Sequence, residues 1–206
     1  MSAAQPEGLR ERTRRAVRDE LMLTAVELFA KNGFAETTIG QIAAAAGMSE
    51  RSFFRYFPTK EDVVLRGFEL MGNGLADRLS QLPPDLPAWA SLRATFEAVA
   101  GLYDSDTARY LALLRLRVNT PALTAHYLEQ RSRWAELLVP HLLGRLPCDE
   151  APVRPDPRPY AIAGAALACL GAAEDAWVRC GASVSLSTML DLTMGALRPD
   201  DQEVRQ

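Results

Sequence analysis

Four polar side chains that could contact another molecule lie close together at Arg51, Ser52, Arg55 and Tyr56. Arginine presents a planar fork of N–H donors, and hydroxyl groups both donate and accept, so this set suits the base edges and phosphate oxygens of a nucleic acid. A solvated helix face can also carry two arginines without any binding role. The residue types therefore predict a nucleic-acid contact, with an ordinary surface helix as the alternative.

Side chains suited to catalysis or metal binding are scattered along the sequence. The two histidines, His126 and His141, are fifteen residues apart, which is about 22 Å along one helix and too far for a shared metal ion. No glycine-rich phosphate loop follows a predicted strand. We expect no enzyme activity, no cofactor and no metal site.

Cysteine usage and hydropathy indicate the compartment. The three cysteines, Cys148, Cys169 and Cys180, form no CxxC pair, as is typical of a reduced cytoplasm. Residues 1–8 lack the apolar core of a secretion signal. The apolar stretch at residues 161–173 is too short and too rich in alanine and glycine to span a membrane. We expect a cytoplasmic protein without membrane contact.

Charge is distributed unevenly along the chain, whose net charge is -3. Residues 10–60 carry nine basic and six acidic side chains, whereas residues 61–206 carry fourteen basic and nineteen acidic ones. Phosphate attraction acts over a Debye length of about 8 Å, so the sign of the local charge matters more than the total. The N-terminal segment is thus the candidate nucleic-acid contact.

Hydrophobic residues recur at helical steps through nearly the whole chain, and no convincing strand pattern is present. The sequence predicts an all-α fold. The predicted helices cover approximately residues 9–31, 39–46, 50–57, 60–79, 88–103, 107–119, 121–143, 158–180 and 186–197.

Two of these helices are short and joined by a tight turn. Thr38 and Gln41 have the spacing of a capping box, and Ser49 can cap the next helix after Gly47. Short helices on either side of a glycine-containing turn are typical of a helix-turn-helix. Since such helices are unstable alone, their apolar residues should pack together and leave the arginines outside. We expect this core to comprise Ile39, Ile42, Ala43, Ala46, Met48, Phe53 and Phe57.

Residues 14–64 resemble the DNA-binding domain of the tetracycline-repressor (TetR) family. The matching positions are Ala25, Leu28, Phe29, Gly33, Phe34, Thr37, Thr38, Ile39, Ile42, Ala43, Ala46, Gly47, Met48, Ser49, Ser52, Phe53, Phe54, Tyr56, Phe57, Lys60 and Glu61. They occur in order and without gaps over about a quarter of the chain. Phe54 departs from the tyrosine of many members, and Gly40 departs from a frequent polar or basic residue.

The resemblance implies roles for individual residues. Thr38, Tyr56 and Lys60 would hold phosphates, and the start of the second short helix would approach base edges. The complete predicted DNA-contacting set is Thr38, Ser49, Glu50, Arg51, Ser52, Phe54, Arg55, Tyr56 and Lys60. Arg51 or Arg55 either reads guanine with two hydrogen bonds or contacts phosphate only. The arginines at residues 10–18 form either an arm toward the DNA backbone or minor groove, or a solvated helix face.

The resemblance also implies two domains. A DNA-binding domain would occupy residues 1–60, with a mobile tail at residues 1–9. A helical ligand-binding and dimerisation domain would occupy residues 61–198, followed by a mobile tail at residues 199–206. The helix at residues 158–180 is rich in small side chains, so it suits either a close helix–helix dimer contact or the core within one chain.

Polar and aromatic residues in the apolar C-terminal helices are candidate pocket residues, although each alone is more typical of packing or of the surface. The predicted set is Arg115, Asn119, His126, Tyr127, Trp134 and Trp177. Arg117 is a further candidate, but Arg115 and Arg117 cannot both face inward, because they are two residues apart on one helix. An inward arginine would favour an acidic or acyl-type ligand.

The sequence and the resemblance together predict a homodimeric regulator that binds an inverted-repeat operator in double-stranded DNA. Most members are repressors, so a small-molecule effector is expected to release it. A redox-sensing regulator using Cys169 and Cys180 is one alternative; about 16 Å of helix separates them, so only a bridge between chains could form. An enzyme with an accessory helix-turn-helix is the other.

Overall fold

The computed structural model describes residues 8–146 and 155–197. All regular structure in these ranges is helical, which confirms the all-α prediction. The helices are α1 (Leu9–Asn32), α2 (Ile39–Ala45), α3 (Glu50–Phe53), α4 (Lys60–Ser80), α5 (Ala88–Ser105), α6 (Thr107–Asn119), α7 (Pro121–Leu142), α8 (Arg158–Arg179) and α9 (Leu186–Gly195), with a 3₁₀ turn at Leu143–Arg145 after α7.

The chain divides into two compact units between Phe68 and Glu69. We call them the head and the body. Helix α4 starts in the head and ends in the body, so the division falls within a helix, eight residues after the boundary expected at residue 60. Of the expected N-terminal tail, residues 1–7 lie outside the described ranges, while Leu9 already belongs to α1. The expected tail at residues 199–206 and Cys148 also lie outside them.

The head is built around side chains that α1, α2 and α3 bury together. Leu21 and Phe29 of α1, Ile42 of α2 and Phe53 of α3 are all buried, and Phe57, which follows the turn after α3, is buried as well. Burying side chains of this size stabilises a fold by about 1.5–3 kcal/mol each. This shared core lets helices as short as α2 and α3 exist.

Helix α3 is shorter than the sequence predicted. The expected helix ran to Phe57, but α3 ends at Phe53 and residues 54–56 form a turn. The backbone N–H groups of Arg55 and Tyr56 bond the carbonyls three residues earlier (3.2 and 2.8 Å) instead of four. Pro58 disfavours helical geometry at the residue before it, so the chain tightens before it reaches Phe57.

The body is organised around α8, which packs against α5, α6, α7 and α9. One side of α8 is buried, from Ala163 through Leu170 to Trp177. The smallest of these side chains let neighbouring helices approach closely. Two ends differ from the predicted ones by two residues, since α5 continues to Ser105 and α9 stops at Gly195.

Helix α8 as a whole corrects the expectation about membrane spans. By length and composition alone it is apolar enough to cross a membrane, because the helix extends beyond residues 161–173 in both directions. Half of its apolar window is buried inside the structure, and its buried face contains the carboxylic acid of Glu174. This is the pattern of a core helix.

Candidate functional sites

The N-terminus of α2 is fixed by the predicted capping box. The Oγ1 atom of Thr38 accepts a hydrogen bond from the N–H of Gln41 (3.2 Å), and Oε1 of Gln41 accepts one from the N–H of Thr38 (2.8 Å). Caps of this kind stabilise a helix by about 0.5–2 kcal/mol. Thr38 is exposed while its backbone is held rigidly, so the first turn of α2 faces solvent in one defined orientation.

The turn between α2 and α3 is equally well defined. Gly47 has φ +69°, which a residue with a side chain rarely adopts. The N–H of Met48 bonds the carbonyl of Ala43 (2.9 Å), closing the end of α2. Ser49 caps α3 by accepting from the N–H of Ser52 (3.2 Å), and its hydroxyl also donates to that of Ser52 (3.1 Å). Together these contacts form a helix-turn-helix.

The outward side of α3 carries the predicted base-reading residues. Arg51 and Arg55 are exposed, and the Phe54 ring is 48% exposed. Arg55 lies in the turn that follows α3, where its guanidinium is 5.9 Å from the centre of the Tyr56 ring. These side chains therefore share one surface, as the sequence predicted, although only Arg51 among the two arginines stands on the helix itself.

Glu50 lies close to the first turn of α2. A side chain built at Gly40 would collide with its carboxylate. The glycine that departs from the family pattern thus makes room for Glu50. A carboxylate near the positive end of a helix is electrostatically favoured.

An open cleft of about 420 Å³ lies beside this surface within the head. Its lining includes Arg10, Thr13 and Arg14 from α1 together with Arg55 and Tyr56. Nη2 of Arg14 donates to the carbonyl of Arg55 (3.4 Å). Three arginines around one cleft concentrate positive charge beside α3, which suits a phosphate group.

Lys60 occupies a different environment from the exposed arginines. Its ammonium donates to the carbonyls of Phe34 (2.7 Å), Ala35 (3.3 Å) and Thr37 (3.2 Å), and lies 4.4 Å from the centre of the Phe34 ring. An ammonium has three donors, so all of them are engaged in holding the corner between α1 and α2. The phosphate contact implied by the resemblance stays a prediction.

Replacing Lys60 distinguishes a structural role at the corner between α1 and α2 from a phosphate contact. We expect Lys60→Met to lower the thermal midpoint and the affinity for every DNA sequence, because the corner that carries Thr38 loses its donor. The dependence of affinity on salt should be unchanged, and we expect the same of the exposed control Lys31→Met. If the slope of log affinity against log salt concentration falls in magnitude by about 0.9, the value of one phosphate contact, Lys60 contacts a phosphate instead. Calorimetry and binding titrations at several salt concentrations measure both quantities.

The predicted pocket residues of the body fall into two groups. Tyr127, Trp134 and Trp177 are buried, whereas Arg115 and Asn119 are exposed. The structure therefore does not bring those two polar residues to the core. His126 is half-buried, with its Nε2 3.0 Å from the amide nitrogen of Gln130.

A buried ionic centre joins four helices of the body. Glu174 of α8 is 0% exposed and accepts hydrogen bonds from the phenols of Tyr103 on α5 (3.2 Å) and Tyr127 on α7 (2.7 Å). Arg117 of α6 is 3% exposed, and its guanidinium lies 3.7 Å from Glu174 and 2.6 Å from Asp175. That guanidinium also stacks 4.2 Å from the centre of the Tyr127 ring. We call Tyr103, Arg117, Tyr127 and Glu174 the Glu174 centre.

Sequence reasoning missed Glu174, and it included Arg115 in the predicted pocket set whereas Arg117 is the buried arginine of the pair. Glu174 stands four residues after Leu170 and three before Trp177, so it shares their buried face. A carboxylate at such a position in an apolar helix was the available signal. For the arginines, Arg117 is three residues after the buried Leu114 and falls on the same face.

Burial changes the acid–base behaviour of the Glu174 centre. Loss of solvent raises the pKa of Glu174 above its ordinary value, while the nearby Arg117 opposes this shift. Burial, followed by the charge of Glu174, raises the pKa of both Tyr103 and Tyr127 well above 10. Both phenols therefore keep their protons and donate to Glu174 at neutral pH.

Tyrosine absorbance should reveal the two buried phenols. The chain has five tyrosines. We expect Tyr103 and Tyr127 to remain protonated until the protein unfolds, and stability to fall above pH 10, since both phenols bind protons more tightly in the folded state. An ultraviolet titration of wild type, Tyr103→Phe and Tyr127→Phe measures this. Smooth ionisation of all five phenols in the folded protein would contradict it.

The opposite side of α8 presents small residues to solvent. Ala161, Gly164, Ala168 and Ala172 are exposed and repeat every three or four residues. On α9, Leu192 is 65% exposed. Exposed small residues in one row allow the backbone of another helix to approach closely. We call Ala161, Gly164, Ala168, Ala172 and Leu192 the small-residue face.

The two described cysteines give the redox alternative no support. Cys169 is buried, which raises the pKa of its thiol, and Sγ donates to the carbonyl of Thr193 (3.4 Å). The pKa of Cys180 is lowered by its hydrogen bond with Ser183, and Sγ donates to the carbonyl of Trp177 (3.3 Å). Cys169 thus has the character of a structural thiol.

Comparison with known proteins agrees with this architecture. Residues 21–66 match the family described as bacterial regulatory proteins, tetR family, and residues 86–201 match the MftR C-terminal domain family. TcmR of Streptomyces glaucescens, an HTH-type transcriptional regulator, is 34% identical over 142 residues, which are 64% of this chain and 63% of TcmR. MftR of Mycobacterium tuberculosis is 28% identical over 81% of both chains.

Solved structures share the fold. FadR of Thermus thermophilus, a TetR-family repressor crystallised with lauroyl-CoA, has a TM-score of 0.60 at 24% identity, covering 86% of this chain and 91% of FadR. FadR of Bacillus subtilis, crystallised with stearoyl-CoA, has a TM-score of 0.57 at 20% identity, and the match covers 86% of this chain and 95% of that FadR chain.

A helix-turn-helix with exposed arginines, joined to a helical body with a charged interior, defines a DNA-binding transcriptional regulator. The chain belongs to the TetR family of bacterial regulators, with a C-terminal domain of the MftR type. The resemblance noted in the sequence is confirmed.

Proposed function

We propose that this chain is a cytoplasmic homodimeric repressor that binds an inverted-repeat operator and is released by a small molecule. The outward surface of α3 would enter the major groove, with Arg51 and Arg55 near base edges and Thr38 and Tyr56 at phosphates. Arg10 and Arg14 would extend this contact along the backbone. The small-residue face would pair with its copy on a second chain.

The Glu174 centre is the observation that supports a ligand. Ionic groups in a hydrophobic core contribute less stability than apolar side chains of similar volume, and a few polar groups among aromatic rings are typical of small-molecule sites. Arg117 is the inward arginine that favours a ligand with acceptor oxygens. The acyl-CoA complexes of the two FadR proteins make an amphipathic acyl compound a suitable first probe.

Release from DNA tests this function directly. An operator is first selected from random DNA with the purified full chain, then labelled for fluorescence anisotropy. We expect lauroyl-CoA to release the operator at concentrations where free CoA does not. Retention of the operator at saturating lauroyl-CoA would contradict the acyl class of effector. Failure to select any operator would contradict the function itself.

A further inference from the structure

The side chain of Glu50 lies in space that the missing side chain of Gly40 leaves open. Gly40 is the second residue of α2, and Glu50 is the first residue of α3. A Cβ atom built on Gly40 would overlap Oε1 of Glu50 and would lie 3.5 Å from its Cδ and 3.7 Å from Oγ1 of Thr38. The Glu50 carboxylate therefore lies against the backbone of the first turn of α2.

The Glu50 carboxylate is available as a hydrogen-bond acceptor. Glu50 is exposed, and in the described part of the chain its carboxylate accepts no hydrogen bond and forms no ion pair. The next residue, Arg51, is exposed as well and makes no ion pair with it there. An acceptor and a donor thus stand side by side at the start of α3, each free to bind another molecule.

The backbone that carries Glu50 is well fixed. Ser49 caps α3 by accepting from the N–H of Ser52 (3.2 Å), and the carbonyl of Glu50 accepts from the N–H of Phe54 (3.0 Å). Because the backbone is fixed and the side chain abuts Gly40, few positions are open to the carboxylate. An acceptor that is already in position loses little conformational entropy when it binds.

A carboxylate distinguishes among the bases because it only accepts hydrogen bonds. In the major groove, cytosine presents the N4 amino group, whereas guanine presents acceptors at N7 and O6, and thymine presents an acceptor and a methyl group. Adenine has an amino group too, but it lies beside the acceptor N7, which repels the second carboxylate oxygen. Cytosine is therefore the base that suits a carboxylate best.

Glu50 also stands where a side chain can reach a base. In a helix-turn-helix the N-terminal residues of the second helix contact base edges, and Glu50 begins that helix. A carboxylate on this surface repels phosphates, so it lowers the affinity for DNA in general unless a base offers it a donor. Such a residue contributes to specificity by penalising every sequence that lacks the donor.

We propose that Glu50 accepts a hydrogen bond from the N4 amino group of one cytosine in each half-site of the operator, and that Gly40 sets the position of its carboxylate. Glu50 is then a base-contacting residue and Gly40 a positioning residue. A larger side chain at position 40 would displace the carboxylate, which gives this departure from the family pattern a role in specificity. The proposal rests on the proposed function, because it assigns a base to the operator-binding surface.

Singly substituted operators, titrated by fluorescence anisotropy, test the base assignment. We expect one C·G pair in each half-site at which every substitution weakens binding of the wild-type chain by about five-fold or more. Glu50→Ala should show no preference at that pair and unchanged preferences elsewhere. Its affinity for random DNA should be equal or higher, because a charge that repels phosphates is removed. The control Glu27→Ala, which removes an exposed carboxylate from α1, should keep every base preference.

Glu50→Gln should change the preferred base. Glutamine carries both a donor and an acceptor, and it pairs with N6 and N7 of adenine. We therefore expect this variant to bind an operator with adenine at the assigned position at least as tightly as the cytosine operator. The wild-type chain should prefer cytosine there by about five-fold or more. A change of preferred base cannot result from a loss of stability.

Gly40→Ala tests the positioning role without removing the carboxylate. The added Cβ overlaps the end of a flexible side chain rather than backbone, so we expect the variant to fold, which circular dichroism checks. Its preference for cytosine should fall to less than about two-fold, as in Glu50→Ala. In a Glu50→Ala background no carboxylate remains to be displaced, so adding Gly40→Ala should change operator affinity by less than about two-fold.

The contrary results are distinct for each part of the proposal. An unchanged preference for cytosine in Glu50→Ala, or equal losses of affinity for operator and random DNA, would overturn the base contact. An unchanged preference in Gly40→Ala would overturn the positioning role. Failure of the wild-type chain to select any operator would contradict the proposed function instead, so the two failures are distinguishable.

Discussion

Gly164→Glu should leave each chain folded, abolish the dimer and lower operator affinity by about a hundred-fold or more. A Cβ at Gly164 meets no atom within 4 Å, so the substitution is accommodated within one chain. Across a two-fold interface the same carboxylate would be buried twice, opposite its own copy, without a partner. Two heads on one dimer add their binding free energies, and a monomer loses this gain.

Another exposed helical glycine provides the control. Gly101 of α5 also has open space around its Cβ position, so Gly101→Glu adds the same charge and the same loss of flexibility. Analytical sedimentation reports the oligomeric state, circular dichroism reports folding, and anisotropy reports operator binding. A monomeric Gly164→Glu chain that binds its operator as tightly as wild type would contradict the role of the dimer.

Arg51→Ala or Arg55→Ala should remove discrimination at one defined base pair of each half-site. A bidentate arginine–guanine contact contributes about 1–3 kcal/mol of discrimination against the wrong base. We therefore expect these variants to lose affinity mainly for the operator and much less for random DNA. Arg51 stands on α3 and Arg55 in the turn after it, so the two should affect different bases.

The matched control is Arg133→Ala, which removes one exposed arginine from α7 in the body. Arg133→Ala changes the net charge by the same amount as the two head variants. It should alter the affinity for neither the operator nor random DNA. Anisotropy titrations on the operator, on singly substituted operators and on random DNA supply the comparison. Equal losses on operator and random DNA for both head variants would assign Arg51 and Arg55 to phosphates.

The head could be predicted in detail because its signals are local. The capping box of Thr38 and Gln41, the turn at Gly47 and the cap at Ser49 each depend on residues within a few positions. The predicted C-terminal end of α3 was wrong. The chain turns before Phe57 and buries this side chain in the head, and that turn depends on packing as well as on Pro58. The engagement of Lys60 with three carbonyls depends on residues 23 to 26 positions away, which no local pattern encodes.

The body was predicted only in outline. Hydrophobic periodicity located both ends of α6 correctly and the ends of the other helices approximately. It could not locate the pocket residues, because these depend on which helix faces meet. Arg115 was expected in the pocket and is exposed, while Arg117 and Glu174 meet although they are far apart in sequence. The contact between Gly72 and the Trp134 indole, which leaves no room for a Cβ atom, was likewise invisible in the sequence, since a glycine within a helix has several ordinary explanations.

Selection of binding sites from random double-stranded DNA tests the central claim most directly. The purified full-length protein is incubated with the pool, and the retained DNA is sequenced over several rounds. A dimer with one recognition helix per chain predicts an inverted repeat whose half-site centres lie about 34–36 Å apart, one DNA turn, on one face of the duplex. Enrichment of a single unpaired site, or of no sequence at all, would contradict the account.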